Sequence, residues 1–230
     1  MPLELKDVDY VKDFQELIEC EWISYENPQQ SFFRLFCPII GAGPTAREES
    51  LKECTSRQLQ WHQSDPTSYW HKVIDTESGK IVGAALWKIC PTNPFEHEDD
   101  HSEVSWYPEG GQRDFVAAAL QRFDAPRERL APKPQLYLNI IYTHPEFRRQ
   151  GVADMIMKWG IEKAKEMGVE IWLDATVYGV PLYKKHGFAV VNENNLVPEP
   201  IDEPDEEWTK IAASLGPMTM WQMVRKVDEQ

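Results

Sequence analysis

Residues 136–153 constrain this chain more than any other stretch. Leu136 to Thr143 reads LYLNIIYT, an apolar run of strand length, which predicts a central, buried strand. His144 to Gln150 is a polar connection. The run Arg148-Arg149-Gln150-Gly151-Val152-Ala153 then opens a helix whose apolar face is Val152, Met155, Ile156, Trp159 and Met167, with Gly168 as its C-cap. Small residues at Gly151 and Ala153 let a ligand approach the backbone closely. A helix start offers unpaired N–H groups and the positive end of a dipole, so the turn suits a pyrophosphate, and Arg148 and Arg149 add charge. On spacing alone, a plain basic surface turn explains it equally well. No GxxxxGK[ST] occurs, and no GxGxxG follows a strand, so P-loop and dinucleotide folds get no support.

The flanking pattern is mixed. Tyr10, Val11, Phe14, Leu17, Ile18 and Trp22 form a helical stripe over Asp9–Tyr25. Phe32–Phe36 is a second apolar piece. Thr45-Ala46-Arg47-Glu48 predicts a capping box opening a helix to about His62, with Leu51, Cys54, Gln58 and Trp61 along one side. Tyr69–Ile74 and Ile81–Ile89 read as strands joined by the turn Glu77-Ser78-Gly79-Lys80, hence an antiparallel hairpin. Residues 91–109 predict a long acidic loop, and Arg113–Phe123 a helix facing inward through Phe115, Val116, Ala119, Leu120 and Phe123. Ile171–Thr176 is a further strand, Gly179–His186 a short helix, Phe188–Val191 the start of a strand and Met218–Val227 a closing strand. The layout is α/β with a mixed sheet.

Charge narrows the partners. The chain of 230 residues carries a formal net charge of −14. A general nucleic-acid binder needs a basic face, and an anionic membrane repels such a chain, so neither partner is expected. A cationic acceptor suits it better. The imbalance is uneven. Over 144–187 seven basic residues meet six acidic ones, whereas 91–109 holds six carboxylates, 193–207 holds seven, and neither contains Lys or Arg. The N-terminus is charged and lacks a signal-like apolar region, and no apolar run is long enough to span a bilayer. Cys20, Cys37, Cys54 and Cys90 lack CxxC spacing, which predicts reduced, buried thiols in a cytoplasmic protein.

Downstream residues turn the 136–153 segment into more than a generic turn. Asp174-Ala175-Thr176 ends the next strand, Gly179 follows, and Leu182-Tyr183-Lys184-Lys185-His186-Gly187-Phe188 closes the series. Together with Arg148-Arg149-Gln150-Gly151-Val152-Ala153, this order resembles the GNAT superfamily of acetyl-CoA-dependent N-acetyltransferases. The likeness covers 136–191 tightly and 69–89 loosely; about 91–134 and 193–216 look like insertions of larger, fungal-type members within one domain, 1–230. The resemblance implies a mostly antiparallel sheet flanked by helices. It implies that the backbone N–H groups of Gln150, Gly151, Val152 and Ala153 hold the pyrophosphate beside Arg148 and Arg149. It also implies that the backbone near Ile141 and Thr143, with Thr176 nearby, receives the pantetheine arm, and that an amide, Ile141, polarises the thioester carbonyl. Tyr183 matches the tyrosine that protonates the departing thiolate. The implied reaction is direct transfer of acetyl from acetyl-CoA to a primary amine of a small molecule or peptide.

The base is less determined. Many members place a Glu on the strand equivalent to 136–143, and this strand has none. Asp174 on the neighbouring strand is one candidate, or it anchors a loop; Asn139 can orient a water; His101, Glu103 and His144 are weaker. That gap keeps open a CoA-binding module without activity, as well as another acyl group or a hydroxyl acceptor. His97-Glu98-Asp99-Asp100-His101 matches HExxH, but zinc chemistry needs a helix there, and a proline-bracketed acidic loop does not supply one, so no metal is expected. The acidic stretches read as solvated loops, or as an acceptor mouth walled by Trp106 and Tyr107.

Overall fold

Seven extended segments line up as one sheet in the computed structural model, which describes residues 2–96, 104–200 and 203–227. They are β1 (Leu3–Asp7), β2 (Ser68–Asp75), β3 (Ile81–Cys90), β4 (Gln135–Thr143), β5 (Glu170–Ala175), β6 (Ala189–Asn195) and β7 (Thr219–Arg225), in the order β1-β2-β3-β4-β5-β7-β6. Every pairing is antiparallel except β4 with β5. That parallel pair needs a crossover, and α5 (Val152–Met167) supplies it. The expected mixed, mostly antiparallel sheet flanked by helices is therefore present. The edge strand β1 was not anticipated from the charged N-terminus.

Two features of β4 position the site. Only Gln135–Leu138 pair with β5, so the second half of β4 has no partner on that side. On its other side, β4 pairs with β3, Leu86 opposite Ile140 and Trp87 opposite Leu138. Asn139 is the extra residue of a β-bulge. A one-residue slip swaps the faces to which side chains point. Leu136 and Leu138 accordingly join the core under α5, while Ile140 and Tyr142 join the core on the opposite face. The bulge lets one strand serve both layers, and Ile141 returns to the α5 side.

The opposite face is covered by α1 (Phe14–Glu26), α2 (Phe33–Phe36), α3 (Ala46–Ser64) and α4 (Gly111–Leu130). α1 buries Phe14, Leu17, Ile18 and Trp22 as the stripe predicts. Val11 is an exception: it precedes the helix and is 94% exposed. α3 starts where expected, but Thr45 has helical φ and ψ and its side chain makes no capping bond, so no capping box forms. Trp61 does not join Leu51 and Cys54 in the core; it stays partly exposed, edge-on to Trp106 and beneath Arg57. α4 runs beyond its expected end at Phe123 to Leu130, through Pro126.

The second insertion, 193–216, is not loop throughout. β6 extends to Asn195, and α7 (Glu206–Leu215) follows, capped by the Asp205 carboxylate accepting from the Trp208 N–H. α7 packs on α4 through Phe115, Ile211 and Leu215. Trp106 and Tyr107 anchor this layer: they donate to the Leu35 and Arg34 carbonyls, each at 2.8 Å. They pack the 104–130 segment onto the core and are not part of the cavity wall. The HExxH run, with Glu103, lies outside the described residues.

Candidate active site

A cavity of about 1100 Å³ begins at the N-terminus of α5, passes the gap where β4 leaves β5, and continues beneath α1, α2 and α3. Gly151 caps α5 with φ 93°, a conformation only glycine adopts without strain, and Arg149 before it has φ 60°. Among the described residues no side chain caps this helix, so the first-turn N–H groups face the cavity mouth. Arg149, Gly151, Val152 and Ala153 line that mouth. Arg148 lines it too, but its guanidinium ties β4 to α1 by donating to the Thr143 and Ser24 carbonyls at 3.3 and 2.9 Å. The Gln150 side chain faces elsewhere, donating to the Glu146 carbonyl.

Ile141 and Thr143 sit at the gap. The His144 N–H bonds back to Val82 on β3, so by the alternation of an antiparallel strand Thr143 and Ile141 direct their N–H and C=O groups away from β3. Tyr25 on α1 donates to the Ile141 carbonyl at 3.1 Å, and Arg148 occupies that of Thr143. The N–H groups on the same edge face the space that β5 has vacated.

Tyr183, on α6 (Val180–Lys185), is 5% exposed and lines the cavity with Thr176. Burial pushes its phenol well above the ordinary range, so it keeps its proton. Gly179 makes room for the ring: a Cβ there would lie 2.6 Å from Tyr183 Cε2.

The two candidates for handling the acceptor proton end up differently placed. Asn139, at the bulge, is exposed and borders the cavity. Asp174 borders it too, but its carboxylate is fully engaged. Its oxygens accept from Tyr137 at 2.9 Å, Gln222 at 2.8 Å and Arg127 at 3.3 Å, and its side chain is 2% exposed. Burial raises its pKa, and Arg127 counters the rise. Arg127 stacks on Tyr137 at 4.1 Å, which makes the cluster a clamp between α4 and the sheet. Asp174 ties α4 to β4 and β7 and anchors no loop.

The carboxylate that the sequence reading missed is Glu21. It is 2% exposed, lines the cavity, and accepts from Gln58 at 2.7 Å. Burial pushes its pKa up to about 8. It stands one turn before Tyr25 on α1, the helix that reaches the Ile141 carbonyl. The signal was in the periodicity: Leu17, Glu21 and Tyr25 share one helical face with Ile18 and Trp22. A carboxylate in a buried stripe is expensive and calls for an explanation.

Among the described residues, no group of three or more His, Cys, Asp or Glu could hold a metal, and no helix is long and apolar enough to cross a membrane. The four cysteines are buried and free.

Comparisons with known proteins bear on the family and the fold. Residues 22–188 match the family model described as the acetyltransferase (GNAT) family. No curated protein matches the chain significantly by sequence. Arylalkylamine N-acetyltransferase 2 from Aedes aegypti is similar in structure, with TM-score 0.65 and 14% identity, over 99% of this chain and 100% of that one. The polyamine N-acetyltransferase of Drosophila melanogaster, which forms N-acetylagmatine, gives 0.61 at 13% identity, over 98% and 100%. An acetyltransferase of Corynebacterium glutamicum, described as histone acetyltransferase HPA2 and related acetyltransferase, gives 0.58 at 17%, over 100% and 99%. At these identities the likeness is one of fold; the family match, covering most of the chain, shows that it belongs to the acetyltransferase (GNAT) family.

Proposed function

We propose that this chain transfers acetyl from acetyl-CoA to a primary amine. The observation that carries this reading is one cavity holding a helix-start anion site, an unpaired strand edge, a buried phenol and a buried carboxylate in series. The amides from Gly151 to Ala153 receive the pyrophosphate, and the Ile141–Thr143 edge aligns the pantetheine arm as a further strand. An amine enters as the ammonium, which the acidic chain attracts. Glu21 takes one proton from it. The freed lone pair forms the C–N bond at the thioester carbon, and the Ile141 N–H stabilises the oxygen that becomes negative. As the C–S bond breaks, Tyr183 gives its proton to the thiolate and regains one from the acylated nitrogen. No enzyme nucleophile is required; positioning does the work. Structural neighbours named for polyamine and arylalkylamine acetylation support the amine class.

Release of free CoA thiol across a panel of primary amines tests this reading. Amine-dependent release is expected, and Tyr183→Phe should lower kcat by about 10²-fold or more. CoA binding without thiol release for any amine would leave only a binding module. Full activity in Tyr183→Phe would remove the tyrosine as the acid.

A further inference from the structure

We infer that the acceptor is a monoamine with an apolar, preferably aromatic, body, and not a diamine or guanidinium-bearing amine. This deepens the reading of the cavity as an N-acetyltransferase site and rests on it. Four carboxylates border the cavity: Glu21, Asp65, Asp154 and Asp174. Three of them already face cations. Lys88 pairs with Asp65, Lys185 meets Asp154 at 2.8 Å, and Arg127 meets Asp174. Glu21 has no ion-pair partner among the described residues. Arg57, whose charge reaches Glu21, makes its hydrogen bonds to Glu53 and to the Phe36 carbonyl. Among the described residues, Glu21 is therefore the cavity carboxylate without a direct ion pair, held by the Gln58 amide and left to meet one ammonium.

Its surroundings fit the rest of such a molecule. Phe32, Phe33 and Phe36 from the α2 segment, Phe123 of α4 and Met220 of β7 line the space. Phe36 and Phe123 meet edge to face at 6.0 Å, and Tyr25 stacks on Phe33 at 4.8 Å. An aromatic body gains contact area and edge or face geometry against these rings. A second ammonium placed there would lose its water and find no counter-charge. Selectivity thus comes from the missing second carboxylate as much as from the rings.

The test compares 2-phenylethylamine with putrescine on the wild-type protein, by calorimetry with CoA bound and by thiol release. 2-Phenylethylamine should bind more tightly and show kcat/KM at least about tenfold higher, a modest margin for stranding one desolvated charge. Phe36→Asp, which adds a carboxylate among the rings, should narrow that ratio. Preferential acetylation of putrescine would overturn the inference while leaving acetyl transfer standing. Preferential binding of 2-phenylethylamine without thiol release would support the inference and defeat the transfer reading. Equal affinity for the two amines, or binding of neither, would overturn the inference.

Discussion

Glu21 is a single buried side chain whose burial costs stability, and the proposed function gives that cost a use. Its pKa near 8 in the fold lies above the ordinary carboxylate value. Both folded and unfolded chains hold the proton below about pH 4. As pH rises through the folded pKa, the native state must bury a charge that the unfolded state exposes freely. The native contribution is thus intact at low pH and lost by about pH 9. Glu21→Gln should melt higher than the wild type at pH 9, by on the order of 3 kcal/mol, with the gap closing toward pH 4. Thermal melts across that range check it, and a gap that does not change with pH would contradict the burial argument. Gly179→Ala is a second probe, because the added Cβ meets the Tyr183 ring. It should lower kcat about tenfold or more by displacing the phenol, with CoA affinity by calorimetry little changed.

Among the elements, β4 carries the architecture through its bulge. Asn139→Ala keeps the extra residue and should cost under about 1 kcal/mol. Deleting Asn139 forces either Leu138 or Ile140 and Tyr142 onto the wrong face, and should cost several times more, read as a loss of Tm. The clamp on α4 gives another contrast. Arg127→Met strands the buried Asp174 carboxylate and should cost about 3–5 kcal/mol, whereas a coupled Arg127→Met, Asp174→Asn pair should recover much of that. These elements also show how much was legible beforehand. LYLNIIYT and the Gly151 turn announced β4 and α5 through pattern alone, whereas the anion site at that turn was implied only by the family resemblance. The bulge was silent, because an unbroken apolar run looks the same whichever face each residue takes. Tyr183 was legible from its motif. Glu21 was overlooked because its cost depends on α3 and the sheet closing over α1, which no local pattern reports. The second insertion, 193–216, misled in its last third for the same reason: α7 exists because it buries Ile211 and Leu215 against α4, not because of its charge.

Over the whole molecule, the cavity joins two layers that the sheet otherwise separates. One end of it opens at the start of α5, the other lies under α1 and α2, and they meet where β4 parts from β5; the proposed reading puts the cofactor in the first and the acceptor in the second. The net charge of −14 acts over this entire shape. Raising ionic strength from about 20 mM to about 300 mM should raise KM for a cationic amine severalfold by screening that attraction; an unchanged KM would remove long-range steering. The union of acid and base across the gap is tested most directly by the pH dependence of kcat/KM for thiol release with 2-phenylethylamine, in wild type and Glu21→Gln. The wild-type rate should rise with pH through about 8 as Glu21 loses its proton, and Glu21→Gln should fall by about 10²-fold or more and lose that limb. A Glu21→Gln variant with the wild-type rate and the same limb would contradict the assignment of Glu21 as the base.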